Sequence, residues 1–319
     1  MSATLPATIF LMGPTAAGKT DLAIELAAKL PVDLVSVDSA LVYRGMDIGT
    51  AKPEPELLAR VPHALVDICD PEDTYSAARF CEDALREMKK ITEKGRIPLL
   101  VGGTMLYFRA LEHGLSELPP ANARIRKQLQ QRLHEEGSAK LHAELARRDP
   151  VAAGRIHVND PQRILRALEV MEITGRPLSL LQKQNQGARL PYRLIKLIRA
   201  PRDRALLHAR IEQRFQRMLA QGFEDEVRQL LARPGFSPEL PSMRAVGYRQ
   251  MIDYLQGRLT REEMQERGII ATRQLAKRQF TWLRRELDAK WLCEEEADLL
   301  VQAVKHIENK GINNFFGQY

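Results

Sequence analysis

The strongest constraint on this chain lies in residues 7–20, Ala-Thr-Ile-Phe-Leu-Met-Gly-Pro-Thr-Ala-Ala-Gly-Lys-Thr. An apolar run of strand length feeds directly into the pattern G-x-x-x-x-G-K-T. The following residues, Asp21 to Leu30, read as a helix, with Leu22, Ile24, Leu26 and Ala27 apolar and Asp21, Glu25 and Lys29 charged. Strand, glycine loop and helix in that order are the context of a phosphate-binding P-loop. The loop comprises Gly13, Pro14, Thr15, Ala16, Ala17, Gly18, Lys19 and Thr20. Its glycines permit a tight turn, and its backbone N–H groups converge on an anion at the positive end of the helix. Lys19 adds a point charge for the outer phosphate, and the Thr20 hydroxyl can sit on Mg²⁺. The motif does not say which phosphate it holds.

The 319 residues allow one large domain or two modest ones. No apolar run approaches bilayer length, and the start Met-Ser-Ala-Thr-Leu-Pro lacks the pattern of a signal peptide. Cys69, Cys81 and Cys293 are odd in number and show no C-x-x-C spacing, which points to a reducing cytoplasm without disulfides or a cysteine metal site. His134 and His142 read as solvated. Net charge is +7, unevenly spread. Residues 1–118 carry 12 Lys and Arg against 17 Asp and Glu, residues 119–192 carry 13 against 7, and residues 199–285 carry 18 against 10. A small anion needs a local pocket of charge. Two separate basic regions point to an extended polyanion, most simply nucleic acid.

Along the chain, residues 33–37 form a short β-branched strand with Asp38 and Ser39 at its carboxyl end. Ligands of parallel α/β sheets bind at that end, so Asp38 is placed to face the P-loop's ligand, on what reads as the neighbouring strand. Residues 43–53 hold glycines and a proline without a sustained period and read as a functional loop. Residues 63–68 are a third strand candidate, 76–94 a helix, and 97–101 a fourth strand ending in Gly102-Gly103-Thr104. A motor ATPase or switch GTPase would more typically end that strand on an acid to hold Mg²⁺. From Pro119 to about Gly187 no strand signal appears. One helix there is well punctuated: Asp160 as cap, Pro161 first, Ile164, Leu168 and Met171 inward, Gly175 as stop. Strand character returns at 193–199 and again at 290–293. The expected fold is an α/β P-loop core with a mostly parallel sheet flanked by helices, built from 1–118 and 193–319, with an all-helical insertion at 119–192.

The later helices are basic. A helix capped by Asp203 places Leu207, Ile211, Phe215 and Leu219 inward and Arg210, Arg214 and Arg217 on a solvated face. Tyr248, between Arg244 and Arg249, looks exposed. A helix of about 269–287 interleaves Phe280 and Trp282 with Arg273, Lys277, Arg278, Arg284 and Arg285, a pattern that suits base stacking and ordinary packing alike. The end, 309–319, reads as mobile.

These stretches resemble the bacterial tRNA dimethylallyltransferases: GPTAAGKT at 13–20, SVDSALVYRGMDIGTAKP at 36–53, VGGTMLYF at 101–108, NDPQRILRALEV at 159–170, AVGYR at 245–249 and TRQLAKRQFTWLR at 272–284. Leu41 stands where many members have Gln, and Ala17 where Ser is common. The resemblance implies transfer of a dimethylallyl group from dimethylallyl diphosphate to the N6 amine of adenosine 37 of tRNA, by a monomer using Mg²⁺. Diphosphate would leave from the P-loop, Lys19 and a Mg²⁺ on Thr20. The adenine amine is a weak nucleophile, so a base that takes its proton would help, and Asp38 is the candidate. Its other possible roles are to help hold Mg²⁺ or to cap a turn. Thr104 would hydrogen-bond near the amine or the diphosphate. The resemblance further implies that the backbone of Asp38, Ser39, Ala40 and Leu41, with Gln162, Arg163 and Arg166, receives the extruded base and its neighbours, and that Thr104, Ile164 and Leu165 also bind the tRNA. Arg126, Arg244, Gly247, Tyr248, Lys277, Arg278 and Arg284 would hold the anticodon stem and loop. The competing readings are a P-loop nucleoside or metabolite kinase and a nucleic-acid-binding ATPase.

Overall fold

Residues 7–12 carry no polar side chain besides Thr8, and they become strand β1 (Ala7–Met12), with Ile9, Phe10 and Leu11 fully buried. Thr8 resolves its polarity by donating its hydroxyl to the Pro98 carbonyl at 2.9 Å. A continuous apolar run of this kind belongs to a strand covered on both faces. The computed structural model describes residues 5–116, 118–184, 188–294 and 298–312. Its other strands are β2 (Val32–Val37), β3 (His63–Ala64), β4 (Ile97–Gly102), β5 (Arg193–Arg199) and β6 (Lys290–Leu292). They form one sheet in the order β3-β2-β4-β1-β5-β6, every pair parallel. All carboxyl ends therefore open on the same edge. On one face, Leu22, Ala23 and Leu26 of the helix Lys19–Lys29 share a core with Leu34, Leu99, Ile195 and Leu197 of the sheet and with Ala303 and Ile307 of a late helix.

The chain divides into two compact units, one of 1–109 with 191–319 and one of 110–190. Among its described residues the second holds helices and no strand, and its boundary falls inside the helix Met105–His113, ahead of residue 119. Within it, Leu129, Leu141, Leu145, Ile164, Leu168 and Met171 form a separate core. The helix Pro161–Thr174 has the punctuation read from its sequence: Asp160 accepts the Arg163 N–H at 3.1 Å, and Gly175 follows at φ 67°. His142 departs from expectation. Its Nε2 bonds the Ile156 carbonyl at 2.8 Å instead of facing solvent.

Three further expectations change. The stretch 63–68 is a strand for two residues, because Leu65 and Asp67 take positive φ values and turn the chain out of the sheet. The late basic helix starts at Arg261, not 269, behind a Thr260–Glu263 capping box, and runs to Leu283. At the end, Glu308–Ile312 turns through non-helical backbone at Lys310 and Gly311 and buries Ile312, and residues 313–319 lie outside the described residues. Among the described residues, no helix is long and apolar enough to cross a membrane.

Candidate active site

β1 ends at Met12, and the loop after it turns tightly enough to put Ala16 and Gly18 at φ 60° and 76°. Gly13 is needed for a different reason: a side chain there would run into the Arg199 carbonyl on the adjacent strand β5. Lys19 opens the following helix and folds back to donate Nζ to the Pro14 carbonyl at 2.7 Å. Burial lowers its ammonium from the usual range to about 8; the Asp38 charge works against that shift and Arg214 adds to it. The positive charge of the site is thus held in place before any anion arrives, at a cost that an anion would relieve.

Asp38 follows β2, two strands away from β1, with β4 between them. It is not on the neighbouring strand, as the sequence had indicated. The intervening strand ends in two glycines, which is what brings the pieces together. A side chain on Gly102 would overlap the Val37 backbone, and one on Gly103 would overlap the Gln279 amide. With both positions bare, the Thr104 N–H donates to the Val37 carbonyl at 3.2 Å, and the Thr104 hydroxyl accepts the Ser39 N–H at 3.1 Å. One carboxylate oxygen of Asp38 accepts the Ala40 N–H at 2.8 Å, fixing the turn that follows β2.

Gln279 was not singled out from the sequence. Its side chain is 8% exposed and bridges two loops: Oε1 accepts the Thr15 N–H at 2.9 Å, and Nε2 donates to the Gly103 carbonyl at 2.9 Å. The amide cross-links the P-loop to the end of β4. Only its place in a motif pointed toward it, since the bond to Thr15 spans 264 residues of sequence.

These groups line a cavity of about 550 Å³. Lys19, Thr20, Asp38, Thr104, Arg214 and Arg278 supply its polar wall; Leu41, Leu106, Ile211, Phe215, Met218 and Trp282 are among its apolar lining. Leu41, the position that departs from the resembling family, therefore presents hydrocarbon to the cavity. Arg214 overturns the solvated-face reading of its helix, Arg204–Ala220. It donates to the Thr50 carbonyl at 3.2 Å, and burial lowers its pKa despite the attraction of Asp38. Arg210 pairs with Glu294, and Arg217 is exposed. Lys19, Thr20 and Arg214 also border a second cavity of about 580 Å³, together with Arg199, Arg210 and Arg217.

The loop 43–53 forms another side of the first cavity through Gly49, Thr50, Ala51 and Pro53. Two clamps hold it. Glu226 accepts the N–H groups of Asp47, Ile48 and Gly49 at 2.9, 2.6 and 3.1 Å. The Lys52 ammonium reaches the Tyr43 carbonyl at 2.8 Å and the carboxylates of Asp47 and Asp67. Tyr248, expected at the surface, is fully buried and donates its hydroxyl to Glu226 at 2.6 Å. Burial and the Glu226 charge push its pKa strongly upward. Its flanking arginines concealed this: Arg249 is exposed while the ring packs edge-on against Phe223. Tyr248 borders the cavity, but its side chain is covered in this structure.

Arg244, Gly247 and Arg278 line the cavity, whereas Lys277 and Arg284 are exposed elsewhere on the same basic stretch. In the helical unit, Gln162 and Arg163 are exposed. Ile164 is wholly buried in that unit's core, in the apolar stripe read from the sequence. Leu165 packs partly against the same core, and Arg126 and Arg166 share the carboxylate of Glu169.

The family model described as IPP transferase matches residues 41–286. That match begins after the P-loop and Asp38, but solved structures extend the likeness. The full-length tRNA isopentenylpyrophosphate transferase from Bacillus halodurans is 36% identical, with 95% of this chain and 96% of that chain covered and a TM-score of 0.69. The tRNA delta(2)-isopentenylpyrophosphate transferase from Staphylococcus epidermidis is 34% identical over 95% of this chain and 99% of that one, with a TM-score of 0.67. A eukaryotic dimethylallyltransferase acting on tRNA is 26% identical over 97% and 80% of the two chains, with a TM-score of 0.79. A parallel sheet whose carboxyl edge carries a P-loop, an aspartate and an apolar-walled cavity agrees with that likeness, and the chain belongs to the IPP transferase family.

Proposed function

We propose that this tRNA prenyltransferase moves a dimethylallyl group from dimethylallyl diphosphate to the N6 amine of adenosine 37, beside the tRNA anticodon. The observation that carries the reading is a single cavity bordered by the P-loop lysine, the Asp38 carboxylate and a wall of hydrocarbon. A nucleotide kinase needs the first of these features but has no use for a five-carbon apolar pocket.

In this reading the diphosphate lies on the loop amides between Gly13 and Thr20, with Lys19 and Arg214 offsetting the charge that develops as the allylic C–O bond breaks. Each such preorganised donor is worth about 3–4 kcal/mol when removed. Hard oxygen donors suit Mg²⁺, and the Thr20 hydroxyl borders the same cavity as Asp38. When bound, Mg²⁺ supplies charge stabilisation to the leaving diphosphate. The Asp38 oxygen not engaged by Ala40 takes the amine proton as the new C–N bond forms. Thr104, fixed by the Ser39 N–H, orients the amine. The target base is extruded from its loop to reach the cavity. Arg126, Gln162, Arg163, Arg166, Arg244, Lys277, Arg278 and Arg284 contact the RNA.

The test supplies unmodified tRNA, enzyme and Mg²⁺ with either dimethylallyl diphosphate or ATP. Diphosphate release with the prenyl donor alone is expected. Phosphate release from ATP while the RNA is recovered unmodified would overturn the reading in favour of an ATPase.

A further inference from the structure

In the helical unit, Glu169 is a carboxylate with 1% of its side chain exposed, and it is almost entirely wrapped by positive and N–H donors. Oε2 receives Arg126 Nη2 and Arg166 Nη1, each at 2.9 Å, and Oε1 receives the Asn122 N–H at 2.9 Å. Arg166 uses its other nitrogen on the Pro119 carbonyl at 2.7 Å. Burial alone would raise the pKa of Glu169, but the hydrogen bonds from Arg166, Arg126 and Asn122 outweigh it and hold the carboxyl below its usual range.

Two guanidiniums against one carboxylate leave a surplus positive charge at a fixed place. Arg126 is 46% exposed and Arg166 32%, so each offers donors outward from a base that is locked inside. A guanidinium held in a plane is pre-organised for the paired oxygens of a phosphate. A larger ionic network of this unit is balanced: Arg132, Lys140 and Arg148 are matched by Glu136, Glu144 and Glu172. The Glu169 cluster thus keeps one surplus positive charge at a fixed place, whereas the larger network is neutral.

We propose that Glu169 is a positioning residue that sets Arg126 and Arg166 as a two-pronged fork for an RNA backbone phosphate. The inference rests on the reading of the chain as a tRNA-modifying enzyme and specifies how its helical unit meets the polyanion.

The test is Glu169→Gln, because the positioning role and a plain electrostatic role predict opposite signs. Removing a negative charge beside two arginines tightens binding of a polyanion if the arginines act as diffuse charge. If Glu169 sets their geometry, the variant binds unmodified tRNA more weakly, by about tenfold for the loss of good charge-assisted pairing, although its net charge is more positive. Thermal unfolding and circular dichroism of the variant accompany the titration. Arg126→Ala serves as the second variant, since it leaves the buried acid paired to Arg166. Arg126→Ala should also weaken tRNA binding, and the double variant should lose less than the two single losses combined. For Glu169→Gln the KM for tRNA should rise, while the KM for the prenyl donor and kcat at saturating tRNA stay near wild type. Tighter or unchanged binding by folded Glu169→Gln overturns the proposal, as does strict additivity with Arg126→Ala. Failure of the wild-type chain to modify tRNA would instead overturn the underlying reading of its function.

Discussion

At Asp38, one carboxylate oxygen is committed to the turn after β2, where it holds the Ala40 N–H, and its charge acts on both Lys19 and Arg214. A substitution that keeps its shape but removes its basicity separates these duties. Asp38→Asn should keep the turn through its carbonyl oxygen and leave tRNA affinity within a few-fold. Its single-turnover rate should fall by about 10²–10⁴-fold. A rate near that of the wild type would rule out the base. Lys19 makes a second prediction at this scale. With its pKa lowered to about 8, the empty site loses its ammonium proton above that pH, while a bound anion favours keeping it. The last proton of a phosphate ester, near pH 6, has already left. Affinity for dimethylallyl diphosphate should therefore weaken as pH rises beyond 8, approaching about tenfold per pH unit, and binding near pH 8.5 should take up a proton. Calorimetry in two buffers of different ionisation enthalpy reads that uptake directly. Flat affinity from pH 7 to pH 9.5 would contradict it.

At the scale of elements, the loop 43–53 shows how a segment without regular structure becomes a wall of the cavity. Three consecutive N–H groups converge on Glu226, which also receives Tyr248. Glu226→Gln presents an amide NH₂ to donors and disrupts that convergence at a cost of about 1.5–3 kcal/mol. The variant should melt earlier, and hydrogen exchange should quicken first at residues 47–50, with the amides of β1 still protected. Uniform exchange across the sheet would argue against a local clamp. Elements of this kind divide what was legible from what was not. The strands at 32–37, 97–102 and 193–199 follow from their apolar runs, as does the helix after Asp160 from its punctuation. The P-loop, Asp38 and Thr104 were found because each sits at the end of a strand that its own residues specify. Gln279, Arg214 and Glu226 were not found, because what they do depends on partners brought close by the fold. Gln279 meets Thr15 from 264 residues away, and Arg214 looks like any surface arginine on an amphipathic helix. The same lack of tertiary information made Tyr248 look exposed, whereas the burial of Ile164 was legible in the helical stripe.

For the whole molecule, charge is partitioned by task. The part that holds the P-loop and Asp38 has an acidic balance, and the positive excess lies in residues 119–192 and 199–285. Under the proposed function, Lys19, Arg214 and the loop amides would serve one compact anion, and the exposed arginines would meet a polyanion that releases counterions as it binds. Arg163→Ala and Arg278→Ala should each weaken tRNA binding and lower the slope of log K against log salt by about one unit. Unchanged slopes in both would mean that neither arginine meets a phosphate. The central claim is that a departing diphosphate and an arriving RNA base share the cavity at the carboxyl edge of the sheet. Its most direct test is mass spectrometry of the nucleosides released from unmodified tRNA after incubation with the enzyme, Mg²⁺ and dimethylallyl diphosphate. The account predicts one adenosine, next to the anticodon, heavier by one five-carbon prenyl group. Recovery of unmodified adenosine alone, or a prenyl group on another nucleoside, would contradict it.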